Sequence, residues 1–419
     1  MICAHLHRPP GGIAHDYTSL GQLNLSIQTK AVSNAFDSWR CLVIALYMTL
    51  VGYGVLVGVP VISTAWVELL GFTEEQVGRV AGADLGGLAL GSVLASLVMA
   101  RWNRRTLALM GLVIAVGANW LCTVYVDYQP VLWLRFMAGT GSGIYTAVAV
   151  ATLGGSSRPA RAYNLMLFAF AFSQAAEMQV LPMLPMNGIY WAFIICFIIS
   201  LPFLRWLPAH PRSVSKAELD SQAAHRKRVP AGLIWLCLAA IFFTYINIGT
   251  YWTYIELAAL DGGIDGEWVG RLLVIVSLGS LVGCLIATVI SSRFGLGKPL
   301  MVTLAIMSII VGILGLDMSY SYLLISLGMF NLLWIFIDVY QMATVAVIDR
   351  SGAFASLMPG AQGLGQIVGP NIAASMLGAG MGYSAVFFLC AAAAFIGLLI
   401  YAAMYFWLRH RVTELAQSA

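Results

Sequence analysis

LALMGLVIAVGANWLCTVYV, residues 107–126, runs for twenty residues without one Asp, Glu, Lys or Arg. At 1.5 Å per residue a helix of that length covers about 30 Å, the thickness of a bilayer's hydrocarbon core. A helix satisfies its own backbone hydrogen bonds, so it can lie in lipid where a loop or an open sheet edge cannot. Comparable runs recur, as at 189–206, where the one charge, Arg205, falls next to the end. Of the 419 residues 60% are hydrophobic and 10% charged, against roughly 25% charged in a soluble domain. A water-soluble reading fails on segment length and on composition.

Working outward from that run, hydropathy predicts spans at 41–63, 75–100, 106–126, 129–153, 162–186, 188–207, 231–257, 267–292, 298–317, 320–347, 353–378 and 382–408. Most connections are short, as in a helical bundle. The exception, 208–230, is polar and holds Arg226–Lys227–Arg228. The expected fold is an all-α membrane protein of twelve transmembrane helices in two six-helix halves, 41–207 and 231–408, joined by the 208–230 linker. Residues 1–40 and 409–419 are expected to be tails, and the first lacks the apolar core of a cleaved signal peptide.

Basic residues mark the side that is not translocated. With both termini on one side, that side holds the linker cluster, Arg101, Arg104, Arg105, Arg158, Arg161, Arg293, Lys298, Arg350, Arg409 and Arg411. Among the 22 Lys and Arg residues only Arg79, Arg135 and Arg271 fall elsewhere, while Glu68, Glu74, Asp127, Asp261, Asp265 and Asp317 mark the opposite side. The expectation is a multi-pass protein of a cytoplasmic (inner) membrane with both termini cytoplasmic.

Sliding the chain 192 residues along itself places Glu75, Val77, Gly78 and Arg79 on Glu267, Val269, Gly270 and Arg271. In the same register Gly87, Gly91, Ala95 and Arg101 fall on Gly279, Gly283, Ala287 and Arg293, and Arg158 and Gln174 fall on Arg350 and Gln366. Charged, amide and glycine positions match, so a duplicated six-helix unit is the simplest source. Each Glu–Arg pair has i,i+4 spacing with the acid first, which braces a helix end. The glycine and alanine stripes let helices approach closely. Parallel repeats of this kind put a substrate site near the midplane between the halves.

With this architecture in place the chain resembles the major facilitator superfamily from about residue 40 to 410. Arg135-Phe-Met-Ala-Gly139-Thr-Gly141-Ser-Gly143 on the fourth span resembles that family's arginine–glycine motif. The resemblance implies proton coupling or anion binding at Arg135 and a central cavity lined by spans one, four, seven and ten. Arg101-Trp-Asn-Arg104-Arg105 resembles its basic loop between spans two and three, with Ala100 where the family has an aspartate and Asn103 at a glycine position. The repeat copy, Arg293-Phe294-Gly295, has Ser292 at the aspartate position. The charge interaction of this loop is therefore expected to be weakened or replaced. Span five, with Gln174, Glu177 and Gln179, lacks the glycine–proline motif of the family's drug–proton antiporters.

An ionisable group inside a span costs about 2.5–3.5 kcal/mol on insertion scales and is a functional candidate. The spans hold Asp84, Arg135, Glu177 and Asp338, with Glu256 near the end of the seventh. Arg135 and Asp84 lie at similar depth, so they read either as a structural ion pair or as an anion-binding arginine whose exchangeable partner is Asp84 or Glu177. Asn331, Trp334, Asp338 and Gln341 recur at helical spacing down span ten, and lipid cannot face that stripe. Tyr245, Asn247 and Tyr251 on span seven, with Gln174, Gln362 and Gln366, complete a cavity of aromatic and amide groups. Tyr254 reads as part of the interfacial aromatic belt.

All six histidines lie outside the spans, and the seven cysteines show no disulfide or metal spacing. No nucleophile–base pair, metal-ligand cluster or nucleotide loop is present, so an enzyme or a receptor is disfavoured. The expected function is secondary active transport, most simply proton-coupled uptake of a small organic anion, possibly aromatic; the alternative is proton-driven export of apolar compounds. The partners are the substrate, protons and lipid, with no cofactor, metal or nucleic acid. One chain holds a complete pair of halves, so the monomer is the expected working unit.

Overall fold

The computed structural model describes residues 35–210, 231–294, 297–348 and 358–411. The terminal tails, the linker at 211–230 and Arg350 lie outside them, as do the side chains of Cys284, Ala287, Arg293, Arg409 and Arg411. Twelve helices follow in order: α1 (Trp39–Leu70), α2 (Glu74–Val98), α3 (Arg104–Cys122), α4 (Tyr128–Gly154), α5 (Pro159–Val180), α6 (Met186–Ser200), α7 (Ala231–Asp261), α8 (Gly266–Phe294), α9 (Gly297–Gly312), α10 (Tyr320–Ile348), α11 (Met358–Gly378) and α12 (Tyr383–Arg411).

Eleven of these stretches are long and apolar enough to cross a membrane. Helix α11 is also long enough, at 21 residues, but Gln362, Gln366 and Asn371 make it too polar to stand in lipid alone. It is held between α2 and α7, where Gly363 meets Ala89 and Gly365 meets Phe242 and Tyr245.

Several helix ends differ from the sequence expectation: α3 ends at Cys122 rather than 126, α7 at Asp261 rather than 257, and the end of the sixth span is the 3-10 helix Leu201–Trp206. Helix α1 continues seven residues past position 63, to Leu70, and stops where Gly71 takes φ 69°, a left-handed cap that favours glycine. It is also interrupted at Tyr53, between segments Trp39–Gly52 and Gly54–Leu70. Helix α5 ends at Val180 rather than 186, because Pro182 and Pro185 turn the chain through the short 3-10 helix Leu181–Met183. The start of α2 is fixed by a capping box in which Thr73 and Gln76 satisfy each other's backbone N–H.

Within the first half, α2, α3 and α4 pack backbone to backbone. A Cβ on Gly87 or Gly91 would strike the α4 backbone at Phe136 or Thr140, and one on Gly139 or Gly143 would strike α2 at Asp84 or Leu88. Gly141 faces α3 at Gly111 and Ala115. The three glycines of the α4 motif are thus packing residues. In the second half Gly283 meets Leu332 of α10 in the same way, whereas Gly279 has open space beside it. Both repeated ion pairs form, Glu75–Arg79 at 2.8 Å and Glu267–Arg271 at 3.3 Å.

The basic loop is anchored without a carboxylate. Asn103 caps α3 by accepting from the Arg105 N–H at 2.9 Å, and Arg105 Nε donates to the Leu207 carbonyl at 2.7 Å. Arg104 is buried over the ring of Phe36, and its backbone N–H donates to the Ala209 carbonyl. Backbone carbonyls at the end of α6 take the place of the aspartate that the loop lacks. Arg101 remains exposed.

The halves meet along a seam. Trp252 Nε1 on α7 donates to the Val57 carbonyl on α1 at 3.2 Å, and the Tyr254 hydroxyl donates to the Glu74 carbonyl at 3.2 Å. Tyr254 is completely buried, so it closes the seam on the side of the α1–α2 loop and does not belong to the lipid-facing belt.

Candidate functional site

The ionisable groups inside the spans take separate places, with Arg135 and Asp84 together in the first and Glu256 buried near the end of α7. Arg135 is 1% exposed and Asp84 3%. Arg135 Nε donates to Asp84 Oδ2 at 2.8 Å, its Nη2 donates to the same oxygen, and its Nη1 donates to Asn119 Oδ1 at 2.7 Å. The ring of Tyr190 on α6 lies 5.7 Å from the guanidinium, and Trp66 Nε1 reaches the Tyr190 hydroxyl. Arginine suits this place because its planar fork bonds two acceptors at once. The arrangement is closed: helices α2, α3, α4 and α6 surround the charge within the first half. Glu177 is not part of it.

Asn119 and Tyr190 were not among the residues singled out from sequence. One asparagine inside the run 107–126 was the available signal, since an amide in a span needs a partner.

The second group lies at the seam. The Tyr245 hydroxyl on α7 donates to Asp338 Oδ1 on α10 at 2.5 Å, and Gln362 Nε2 on α11 donates to the Tyr245 oxygen at 2.8 Å. Three helices of the second half therefore converge on one carboxylate, which has no arginine or lysine beside it in any ion pair among the described residues. About two turns along α10, Asn331 Oδ1 accepts from Gln174 Nε2 of α5 at 3.4 Å, a bond that crosses between the halves. The stripe on α10 is thus shared out: Asn331 towards the first half, Asp338 to Tyr245, and Gln341 Nε2 to Thr244 Oγ1 on α7 at 3.3 Å.

Aromatic rings line the same level. Trp334 lies 5.8 Å from Trp252, both lie about the ring of Phe330, and Tyr251 stacks on Phe330 at 3.9 Å. The Tyr251 hydroxyl bonds Ser326. Several buried polar atoms find no partner among the described residues: both amide atoms of Asn247, Asn331 Nδ2 and Gln341 Oε1. Buried amides left this way are costly and call for a water or a ligand. Gln366 is buried on α11 against Gly249 of α7.

Glu177 occupies a third position. Ser173 donates to its Oε1 at 3.3 Å, and its Oε2 is buried without a partner. The carboxylate lies against Gly54 and Gly58 of α1, just beyond the break at Tyr53. No cluster of His, Cys, Asp and Glu among the described residues could hold a metal ion.

A family model described as Major Facilitator Superfamily matches residues 42–348. The chain belongs to this superfamily. It is a transporter, not an enzyme. An uncharacterized transporter of the same type, YceJ of Bacillus subtilis (strain 168), is 22% identical over 76% of this chain and 85% of its own length. Among solved structures, the nucleoside transporter NupG superposes with a TM-score of 0.67 at 12% identity, covering 87% of this chain and 98% of that one. A D-xylose–proton symporter gives 0.67 at 16%, covering 87% and 97%. The human organic anion transporter MFSD10 gives 0.61 at 13%, covering 86% and 97%. At these identities the likeness establishes the facilitator fold.

Proposed function

We propose that this facilitator is a proton-coupled carrier whose proton-binding group is Asp338 and whose cargo is a small molecule recognised by amides and aromatic rings at the seam. The observation that carries the reading is the Asp338–Tyr245–Gln362 contact. A carboxylate in a membrane, bonded by neutral donors and unpaired with a cation, can gain a proton without breaking an ion pair. Its two protonation states differ in the hydrogen bonds they make, which biases the packing of α7, α10 and α11. Gln174 and Asn331 bond across the halves, so a ligand competing for those amides acts on the same seam.

This reading moves the coupling role away from Arg135. The organic-anion expectation rested on that arginine, whose guanidinium is already bonded to Asp84 and Asn119 inside one half. A cargo that is neutral or weakly charged fits the unpartnered amides better, and aromatic walls suit a ring or a sugar face. Uptake driven by inward proton flow remains the proposed direction, with the basic side of the protein cytoplasmic.

The test uses proteoliposomes loaded with pyranine and challenged with sugars, nucleosides, amino acids, carboxylates and amphipathic drugs. Proton entry with a neutral hydrogen-bonding compound, lost in Asp338→Asn, supports the reading. Proton entry that survives Asp338→Asn but is lost in Arg135→Lys returns the coupling role to Arg135.

A further inference from the structure

One hollow on the facilitator lies away from the seam's polar site. A groove of about 630 Å³ opens between α2, α4 and α11, floored by Gly82, Ala83 and Gly86 and walled by Trp133, Phe136 and Leu364. Its glycine and alanine floor exists because α2 carries no large side chain on that face. A second hollow of about 520 Å³ shares Arg79, Ile367 and Asn371 with the first and runs on along α11 past Ser375.

The rims show what surrounds the groove. Leu90, Val93 and Trp133 stand 39–64% exposed on helices apolar enough to span a membrane, with Leu364 of α11 exposed beside them, so this face meets hydrocarbon. At the other end, near the α1–α2 loop, the rim is charged. Arg79 Nε and Nη2 both donate to Glu75 Oε1, and Nη2 also reaches Ser375 Oγ at 3.4 Å. The side chains of Arg79 and Glu75 remain 36% and 41% exposed. The Nη1 group makes no hydrogen bond among the described residues.

The groove is therefore amphipathic in the sense of a lipid: a long apolar slot that ends on a carboxylate–guanidinium pair. From Arg79 to Val93 on α2 is fourteen residues, about 21 Å of helix, enough to lay an acyl chain along. The charges at the rim choose the headgroup. Glu75 and Arg79 carry one charge of each sign, which matches a zwitterion and sets a carboxylate against an anionic head. A zwitterion places its phosphate on the free Arg79 N–H groups and its ammonium on Glu75. A primary ammonium donates hydrogen bonds to a carboxylate and a quaternary one does not.

We propose that this groove is a binding site for a single phospholipid with a primary-ammonium zwitterionic head, of the phosphatidylethanolamine class. Its walls come from α2 and α4 of one half and α11 of the other, so the bound lipid touches both moving parts. The site is independent of the coupling role given to Asp338.

The full chain would be purified and incubated with equimolar phosphatidylethanolamine, phosphatidylcholine and phosphatidylglycerol, and retained lipid read by native mass spectrometry. The expected result is one tightly held phosphatidylethanolamine, preferred about threefold over either competitor, the range an exposed charge pair supplies. Ala83→Phe, which fills the floor, should remove it. Glu75→Gln with Arg79→Gln, on a rim exposed enough to leave folding intact, should keep one lipid but erase the headgroup preference. Equal retention of the three lipids by the unmodified protein overturns the proposal, as does a preference that survives the rim double variant. Unchanged retention in a folded Ala83→Phe protein places the lipid elsewhere and overturns it too.

Discussion

The two halves of this facilitator match in sequence at a 192-residue offset, yet Arg135 and Asp338 are held in them differently. At the 192-residue offset, Asp84, Asn119 and Arg135 of the first half fall on Val276, Val311 and Leu327 of the second, all three buried. Asp338 in turn falls on Thr146, whose hydroxyl bonds the Ser142 carbonyl of its own helix. Tyr245 and Gln362 fall on Tyr53 and Phe170, which pack edge to face at 5.5 Å. The first half thus encloses Arg135 and Asp84 as a closed pair, with Glu177 apart from it, and the second holds Asp338 through neutral donors of α7 and α11. One scaffold holds its helices together equally well with an ion pair or with Val and Leu. The proposed coupling role of Asp338 rests on its lack of a cation partner and on its bond to Tyr245.

A third difference concerns size. Glu177 falls on Gly369, while Gly54 and Gly58, which make room for it, fall on Ile246 and Thr250, the residues that Gly369 faces. Bulk has been exchanged between partner helices with the contact kept.

The strongest way to break the comparison is to remove one member of the closed pair. Arg135→Leu leaves Asp84 buried and uncompensated, and a loss of about 3–5 kcal/mol is expected, read as a lower melting temperature in detergent. Installing the second half's residues together, Asp84→Val with Asn119→Val and Arg135→Leu, should recover most of that loss, because well-packed apolar groups replace a buried ion pair at little cost. Next comes Asp338→Asn, which should melt like the unmodified protein and still exchange substrate in counterflow, but no longer accumulate it against a gradient.

Smaller effects separate the glycine stripes. Gly87→Ala should cost about 1–3 kcal/mol, since the added methyl meets the α4 backbone. Its repeat mate Gly279→Ala has open space and should be neutral or stabilise by up to about 1 kcal/mol. The smallest is Thr73→Ala, about 1 kcal/mol from the lost cap of α2, seen as faster amide exchange at Gln76.

Most of the architecture was legible in the sequence because lipid leaves a chain few choices: length and hydropathy fix the spans. The repeat register also carried over, down to the two Glu–Arg pairs. Two things were not legible. Hydropathy does not see the left-handed glycine that ends α1 or the prolines that shorten α5, because both act through backbone geometry. Nor does a list of buried charges say which face of its helix each one takes. Arg135 and Asp338 looked alike as rare ionisable groups in spans; only the packing of α3 and α6 around the first, and of α7 and α11 around the second, tells them apart. Asn119, which completes the arginine's bonding, lay unremarked in the run that decided the fold.

The most direct test places two proteins in one assay: the Asp84→Val, Asn119→Val, Arg135→Leu triple variant and Asp338→Asn, each in pyranine-loaded proteoliposomes with the same substrate. If the first half only encloses its charge, the triple variant still admits protons with substrate and Asp338→Asn does not. A folded triple variant that moves substrate without protons, beside an Asp338→Asn protein that still couples, would contradict the account.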